Sequence, residues 1–314
     1  MKGLALALLF VIVPHTLQAE PPRTVPDTTI LRRYVTTNAS YDVNAYWLES
    51  ETGIVLIDAL LLQSDSRLLA AMIRSRKKPL LGILLTHPHV DHFGGVAGLR
   101  DVFPDVKLFA TAATAAGIQR AHDRGWQDGW LKAMAPDYGG PPQVDSIVVS
   151  GAELTLGGMH FTVTDMGGAE AENNSVIYQR ELSVLFTGDL TVAHAPVYVG
   201  EGRPKGIIAG LTRLHAQYPD SITVYSGHYA PLELGVIVAE NIAQITAAQQ
   251  IVARVRNVAG NLAPDGTLVV AARREAIKAL TELYRPLARY GFSATVMAQL
   301  NLPGLMAEYR SSSK

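Results

Sequence analysis

Residues 80–95 read LLGILLTHPHVDHFGG: an unbroken apolar run, Leu80–Leu85, delivers the chain through Thr86 into His87-Pro88-His89-Val90-Asp91-His92. A short continuous apolar run of this kind fits a strand buried on both faces, as in a parallel sheet. The loop at the carboxyl end of such a strand is where open α/β sheets place their sites. Histidines at i, i+2 and i+5 with an aspartate at i+4 bring four donors into six residues of a chain that holds 9 His in all. A solvated polar loop is the plain alternative; the concentration of donors at a strand end favours a metal site instead. The helix that follows is expected over Gly94–Phe103, leaving all four donors in the loop.

Outward from this stretch the pattern is consistent. Thr29–Val35, Val43–Glu49 and Ile54–Asp58 are short β-branched and apolar runs separated by turn residues, and Val106–Ala110 is another. Ser64–Lys78 carries Leu68, Leu69, Met72 and Ile73 at helical spacing and stops at Pro79. Strand, helix, strand with buried strands implies an α/β layered sheet with helices outside. The segment 111–143 differs: helical stretches carrying Trp126 and Trp130, then Tyr138 within Pro136–Pro142, read as an insertion that either roofs a site or anchors its aromatics in the core. From Ser146 to Phe186 short strands return. Helices are expected at Gly206–Gln217, Leu234–Arg256, Ala271–Leu287 and Ala294–Arg310, with a strand at Ile222–Tyr225, so that residues 235–314 close the chain as helices.

Composition narrows the chemistry. Lys plus Arg number 27 against 28 Asp plus Glu, leaving no basic excess for nucleic acid. Lys2, the apolar run Leu4–Val13 and Ala19 before Glu20 have the layout of a secretory leader over residues 1–19. The run is too short for a membrane span, which needs about 20 residues. The expectation is a periplasmic or secreted protein without a membrane anchor, residues 20–314 forming one catalytic domain. With 0 Cys there are neither disulfides nor thiolate ligands, so a metal site must use His and carboxylates.

Thr86-His87-Pro88-His89-Val90-Asp91-His92 resembles the T-H-x-H-x-D-H signature of the metallo-β-lactamase superfamily, and the likeness extends over roughly Ala45–Leu234. The resemblance implies a four-layer αβ/βα sandwich, here with a helical insertion and C-terminal helices, and two divalent metal ions, zinc first among them. It implies that His87 and His89 bind the first metal and that Asp91 and His92 bind the second. Val184–Asp189 matches the strand that ends in a bridging Asp, giving Asp189, and Val224–His228 matches the late strand, Gly and His, giving His228.

One position departs from the family pattern. Where most members carry a His as third ligand of the first metal, this chain reads Asp165-Met-Gly-Gly-Ala-Glu-Ala-Glu-Asn-Asn174. Alignment on Asn174 puts Glu170 in the slot, as in members similar to alkylsulfatases, with Glu172 the rival two residues on. Asp91, Glu170, Asp189 and a bridging hydroxide then balance two divalent ions, a centre near neutrality. The resemblance implies that a shared water, made acidic by the metals, attacks the substrate, with Asp91 as proton carrier.

An ester, lactone or thioester is the expected small-molecule substrate, because Asp189 gives the glyoxalase II and lactonase type of site that the familiar β-lactamases lack. A β-lactam and a sulfate or phosphate ester are the alternatives within hydrolysis. Outside it stand an iron-dependent oxidoreductase, for which no flavin domain is present, and a non-catalytic metal-binding protein, against which the full donor set argues. Asn174, Tyr198 and Trp126 are expected to reach the substrate. His122, His160, His194 and His215 are expected to be surface or packing residues. Oligomeric state is not legible.

Overall fold

The computed structural model describes residues 29–37, 40–288 and 292–311. The leader expected over residues 1–19 lies outside them. The first half of the chain forms β1 (Ile30–Val35), β2 (Asn44–Glu49), β3 (Ile54–Ile57), α1 (Gln63–Ser75), β4 (Leu80–Leu84), α2 (Val90–Phe93), α3 (Val96–Arg100) and β5 (Leu108–Ala110). After the helices α4 (Ala112–Gln127) and α5 (Trp130–Met134) comes β6 (Ser146–Ile147). The second half contributes β7 (Glu153–Leu156), β8 (Met159–Gly167), β9 (Asn174–Gln179), β10 (Val184–Gly188), α6 (Pro204–Gln217), β11 (Thr223–Ser226) and β12 (Leu232–Glu233). Helices α7 (Leu234–Arg256), α8 (Val270–Tyr284) and α9 (Ala294–Ser311) follow.

Two 6-stranded sheets result, ordered β1-β2-β3-β4-β5-β6 and β12-β11-β10-β9-β8-β7. The first is antiparallel through β3 and parallel from β3 to β6, and the second is antiparallel apart from the parallel pair β10–β11. Alternation along the strands builds the layers, because successive side chains point to opposite faces. In β2, Tyr46 and Leu48 face the second sheet with Phe161 and Phe186, while Ala45 and Trp47 face the helical side with Leu69 and Ile73. In β3, Val55 and Ile57 take the inter-sheet face and Ile54 and Leu56 the helical one. A third apolar cluster packs the second sheet against α6, α7, α8 and α9 through residues such as Leu185, Ile207, Ile245, Leu280 and Leu302. Helix, sheet, sheet, helix is the four-layer sandwich.

The expected elements are found within a few residues, with one exception next to the donor cluster. The chain turns helical at Val90 rather than at Gly94, with His89 in extended backbone as the residue before the helix, so Asp91 and His92 occupy a single turn that ends at Gly94. The segment 111–143 forms α4, α5 and the loop after them. Among the described residues no helix is long and apolar enough to cross a membrane.

Candidate metal centre

The donor residues come from strand ends on both sheets and converge on the edge between them. His87 and His89 follow β4, Asp91 and His92 lie on α2, Glu170 lies between β8 and β9, Asp189 directly follows β10, and His228 follows β11. Their ligand atoms form two overlapping groups, His87, His89, Glu170 and Asp189, and Asp91, His92, Asp189 and His228, each with its atoms within 4.8 Å of one another. Asp189 belongs to both. Its Oδ1 lies 3.5 Å from His92 Nε2, and its Oδ2 lies 3.3 Å from His228 Nε2 and 3.9 Å from His87 Nε2. Glu170 places Oε1 at 3.2 Å from His89 Nδ1 and Oε2 at 3.8 Å from His87 Nε2. The rival Glu172 is outside the centre, ion-paired with Arg120 at 2.9 Å.

Each of the four histidines has one ring nitrogen anchored and the other turned inward. His228 Nδ1 donates to the Tyr41 carbonyl at 2.9 Å, His92 Nδ1 to Asp58 Oδ2 at 2.9 Å, and His89 Nε2 to Glu201 Oε1 at 3.0 Å. Thr86 gives its only hydroxyl proton to Asp58 at 2.8 Å, so its oxygen accepts from His87 Nδ1 at 2.9 Å. These acceptors fix the tautomers and leave one lone pair per ring facing the centre, the outer-shell arrangement of metal-ligating histidines. Asp58 also accepts from the Thr86 backbone N–H at 2.9 Å, and it holds a left-handed backbone, φ 59°. In the sequence Asp58 stands at the end of a strand with no motif around it, and Glu201 belongs to no motif. The signal for Asp58 was a carboxylate at a strand end; for Glu201, separated from His89 by 112 positions, there was none.

Close backbone approach completes the frame. A side chain at Gly227 would collide with Asp189 Oδ1 and His92 Cε1, and Gly188, at φ 51°, packs on Thr86 and His87. Only glycine fits at either place.

The buried atoms His87 Nε2, His92 Nε2, Glu170 Oε2 and Asp189 Oδ1 have no hydrogen-bond partner. Buried polar atoms are ordinarily satisfied, and a group of them aimed at one point needs a ligand. Three carboxylates and four imidazole lone pairs are the nitrogen and oxygen donors that divalent zinc, manganese or iron accept. The residues therefore fit a pair of cations. The electrostatics agree. Burial, and then its neighbour His92, hold His87 well below its usual value. Burial also disfavours charge on the other three, yet Glu170 and Glu201 raise His89, Asp189 and Asp91 raise His92, and Asp189 and Asp91 raise His228 well above the imidazole range. Glu170 is pushed up to about 7 by burial, against the pull of His89.

A cavity of about 740 Å³ lies over His89, Asp91, Glu170, Asp189 and His228. Tyr198 lines it, its ring 6.3 Å from that of His89, and burial keeps its hydroxyl protonated. The other two residues expected at the substrate are placed elsewhere. Trp126 stacks on His122 with centroids 5.7 Å apart, and Trp130, after the turn at Gly129, lines the cavity instead. Asn174 is fully buried and accepts from the Ala171 N–H at 3.1 Å, shaping the loop that carries Glu170. Arg124, Gly125 and Asp128 also bring the segment 111–143 to the cavity wall. His122, His160, His194 and His215 pair with Tyr138, Glu181, Glu240 and Asp220 respectively, away from the centre.

Comparison with known proteins gives a consistent family. The model of the metallo-β-lactamase superfamily matches residues 40–228. A probable metallo-hydrolase of Streptococcus pyogenes is 24% identical over 209 residues, covering 64% of this chain and 85% of the relative. A hydroxyacylglutathione hydrolase of Yersinia enterocolitica is 27% identical over 191 residues, 60% of this chain and 63% of the relative, so under two thirds of that enzyme is spanned. In structure, a metallo-β-lactamase family protein of Thermus thermophilus superposes with a TM-score of 0.67 at 18% identity, covering 91% of this chain and 94% of its own. A β-lactamase domain protein of Burkholderia ambifaria gives 0.62 at 19% identity, covering 93% and 91%. These likenesses carry the fold through the C-terminal helices, beyond the sequence resemblance.

Proposed function

The chain belongs to the metallo-β-lactamase superfamily and is a metal-dependent hydrolase, and on that premise we propose an exported enzyme with two zinc ions that cleaves a carboxylic ester, lactone or thioester. The shared position of Asp189 between the two donor groups carries this reading. A carboxylate shared by two donor groups is what a glyoxalase II-like centre would have, and relatives named hydroxyacylglutathione hydrolase, a name that denotes cleavage of a thioester, support acyl transfer to water.

His87, His89 and Glu170 would hold one ion, Asp91, His92 and His228 the other, and Asp189 both. When bound, the ions supply Lewis acidity, acidifying water and polarising a substrate oxygen. The residues of the chain do the rest. Asp58, Glu201, Thr86 and the Tyr41 carbonyl keep the imidazoles aimed inward before a substrate arrives. Asp91, in the cavity floor 3.3 Å from His228 Nε2, is held below the usual carboxylate range by His92 and His228 despite burial. A carboxylate in this place would take a proton from the attacking water and pass it to the departing oxygen or sulfur. Glu170 in place of a neutral imidazole removes one positive charge from the centre, which disfavours anionic substrates relative to uncharged ones.

A panel of esters, lactones, thioesters, β-lactams and sulfate esters, offered to the zinc-loaded protein, tests the assignment. Turnover of an acyl substrate, abolished by chelator and restored by zinc, is expected. Turnover confined to a β-lactam or a sulfate ester overturns it.

A further inference from the structure

The cavity over the centre is chemically two-sided. Part of its lining is charged but self-compensated: Arg203 and Arg124 both pair with Glu201, at 2.5 and 3.2 Å, and Arg124 reaches Glu172 at 4.0 Å. Among the described lining residues both arginines are therefore ion-paired to carboxylates.

The remaining wall is apolar and open. Trp130, Phe292, Val296 and Leu300 are each between 36% and 41% exposed, and all four line the cavity. Val296 and Leu300 stand four apart on α9 and share one helix face. Phe292 continues that wall from just before the helix and packs on Tyr41, with centroids 5.3 Å apart, and Tyr41 reaches Trp130 at 6.4 Å. Tyr41 is also the residue whose carbonyl holds His228. The apolar wall thus starts at the metal centre and runs outward along α9, contributed by three separate segments of the chain. Large apolar side chains gathered beside a site and left in water mark a surface that a ligand covers.

We propose that the cavity takes an uncharged ester, lactone or thioester with an extended aliphatic acyl or alkyl chain, the chain lying against Tyr41, Trp130, Phe292, Val296 and Leu300. This rests on the acyl-hydrolase reading for the reacting group only. The apolar wall and the compensated arginines are independent of it.

Two series separate the claims. Hydrolysis-inert N-alkylacetamides, from butyl to decyl, are titrated calorimetrically into the zinc-loaded protein, and p-nitrophenyl esters from acetate to decanoate are assayed for kcat/KM. Affinity for the amides is expected to rise up to about fourfold per added methylene until the wall is covered, and kcat/KM to rise in parallel. In a Val296→Asp, Leu300→Asp variant the dependence on chain length should flatten in both series. Amide binding that ignores chain length overturns the proposal, as does a slope unchanged in the variant. Decyl sulfate binding more tightly than the decyl amide overturns the preference for an uncharged ligand. If amide affinity climbs with chain length while no ester, lactone or thioester is cleaved, the wall stands and the acyl-hydrolase reading falls.

Discussion

Glu201 Oε1 accepts a 3.0 Å hydrogen bond from His89 Nε2, and this single contact decides which nitrogen of His89 faces Glu170. With Nε2–H committed outward, Nδ1 carries the lone pair turned to the centre. The same carboxylate gathers Arg124 and Arg203, so one residue ties a candidate ligand to the cavity wall.

Removing that contact should loosen the first site. Glu201→Ala is expected to weaken zinc binding there by about 10- to 100-fold, measured by competition with a chromophoric chelator. Glu201→Gln keeps an acceptor oxygen for His89 and should lose less. Equal affinity in Glu201→Ala and the unaltered protein contradicts the role.

Asp58 performs the corresponding task for the second site, and it is more deeply embedded. It accepts from the Thr86 N–H, the Thr86 hydroxyl and His92 Nδ1, so Asp58→Asn must turn an amide donor against one of three donors. An unsatisfied buried group of this kind costs about 1–3 kcal/mol. Denaturant unfolding should show that loss, and elemental analysis should show less than full occupancy of the second site.

Gly227→Ala tests close approach rather than charge. The added methyl meets Asp189 Oδ1 and His92 Cε1, so the bridging carboxylate must move. Misplacement of about 1 Å can cost about 100-fold in rate. A comparable fall in kcat, together with reduced metal content, is the expected result; a kcat within twofold of the parent contradicts it.

Acid stability has a component far from the site. Glu49, 3% exposed, accepts from Arg76 Nε at 2.8 Å and pairs with Lys78 at 3.0 Å, and the Arg76 hydrogen bond outweighs burial to hold its carboxyl below the usual value. A depressed carboxyl contributes stability above its unfolded value, about 4.3, and loses it as pH falls through the folded value. Glu49→Gln should cost about 1–3 kcal/mol at neutral pH and make the acid limb of the stability curve shallower, as read by urea unfolding at several pH values.

Much of this molecule is legible in its sequence because its donors follow strand ends. Leu80–Leu85, Val184–Gly188 and Val224–Ser226 are apolar runs with a clear register, and the polar residue that emerges from each is a candidate ligand. Glu170 was legible as one of two carboxylates; Glu172 differs only in being turned outward to Arg120, which spacing does not reveal. The outer partners escaped because they are tertiary: Glu201, in the β10–α6 loop, meets His89 across 112 positions. The start of α2 at Val90 escaped because four helical residues are too few to show a period. Trp126 and Trp130 exchange places because Gly129, at φ 87°, redirects the chain between them.

The central claim is a pair of metal ions sharing Asp189, with Glu170 in the first site. An anomalous difference map recorded at the zinc edge from crystals of the zinc-loaded protein tests it most directly. Two peaks are predicted, one against His87 Nε2, His89 Nδ1 and Glu170, the other against Asp91, His92 Nε2 and His228 Nε2, with Asp189 touching both. A single peak, or a first-site peak that Glu170 does not touch, contradicts the account.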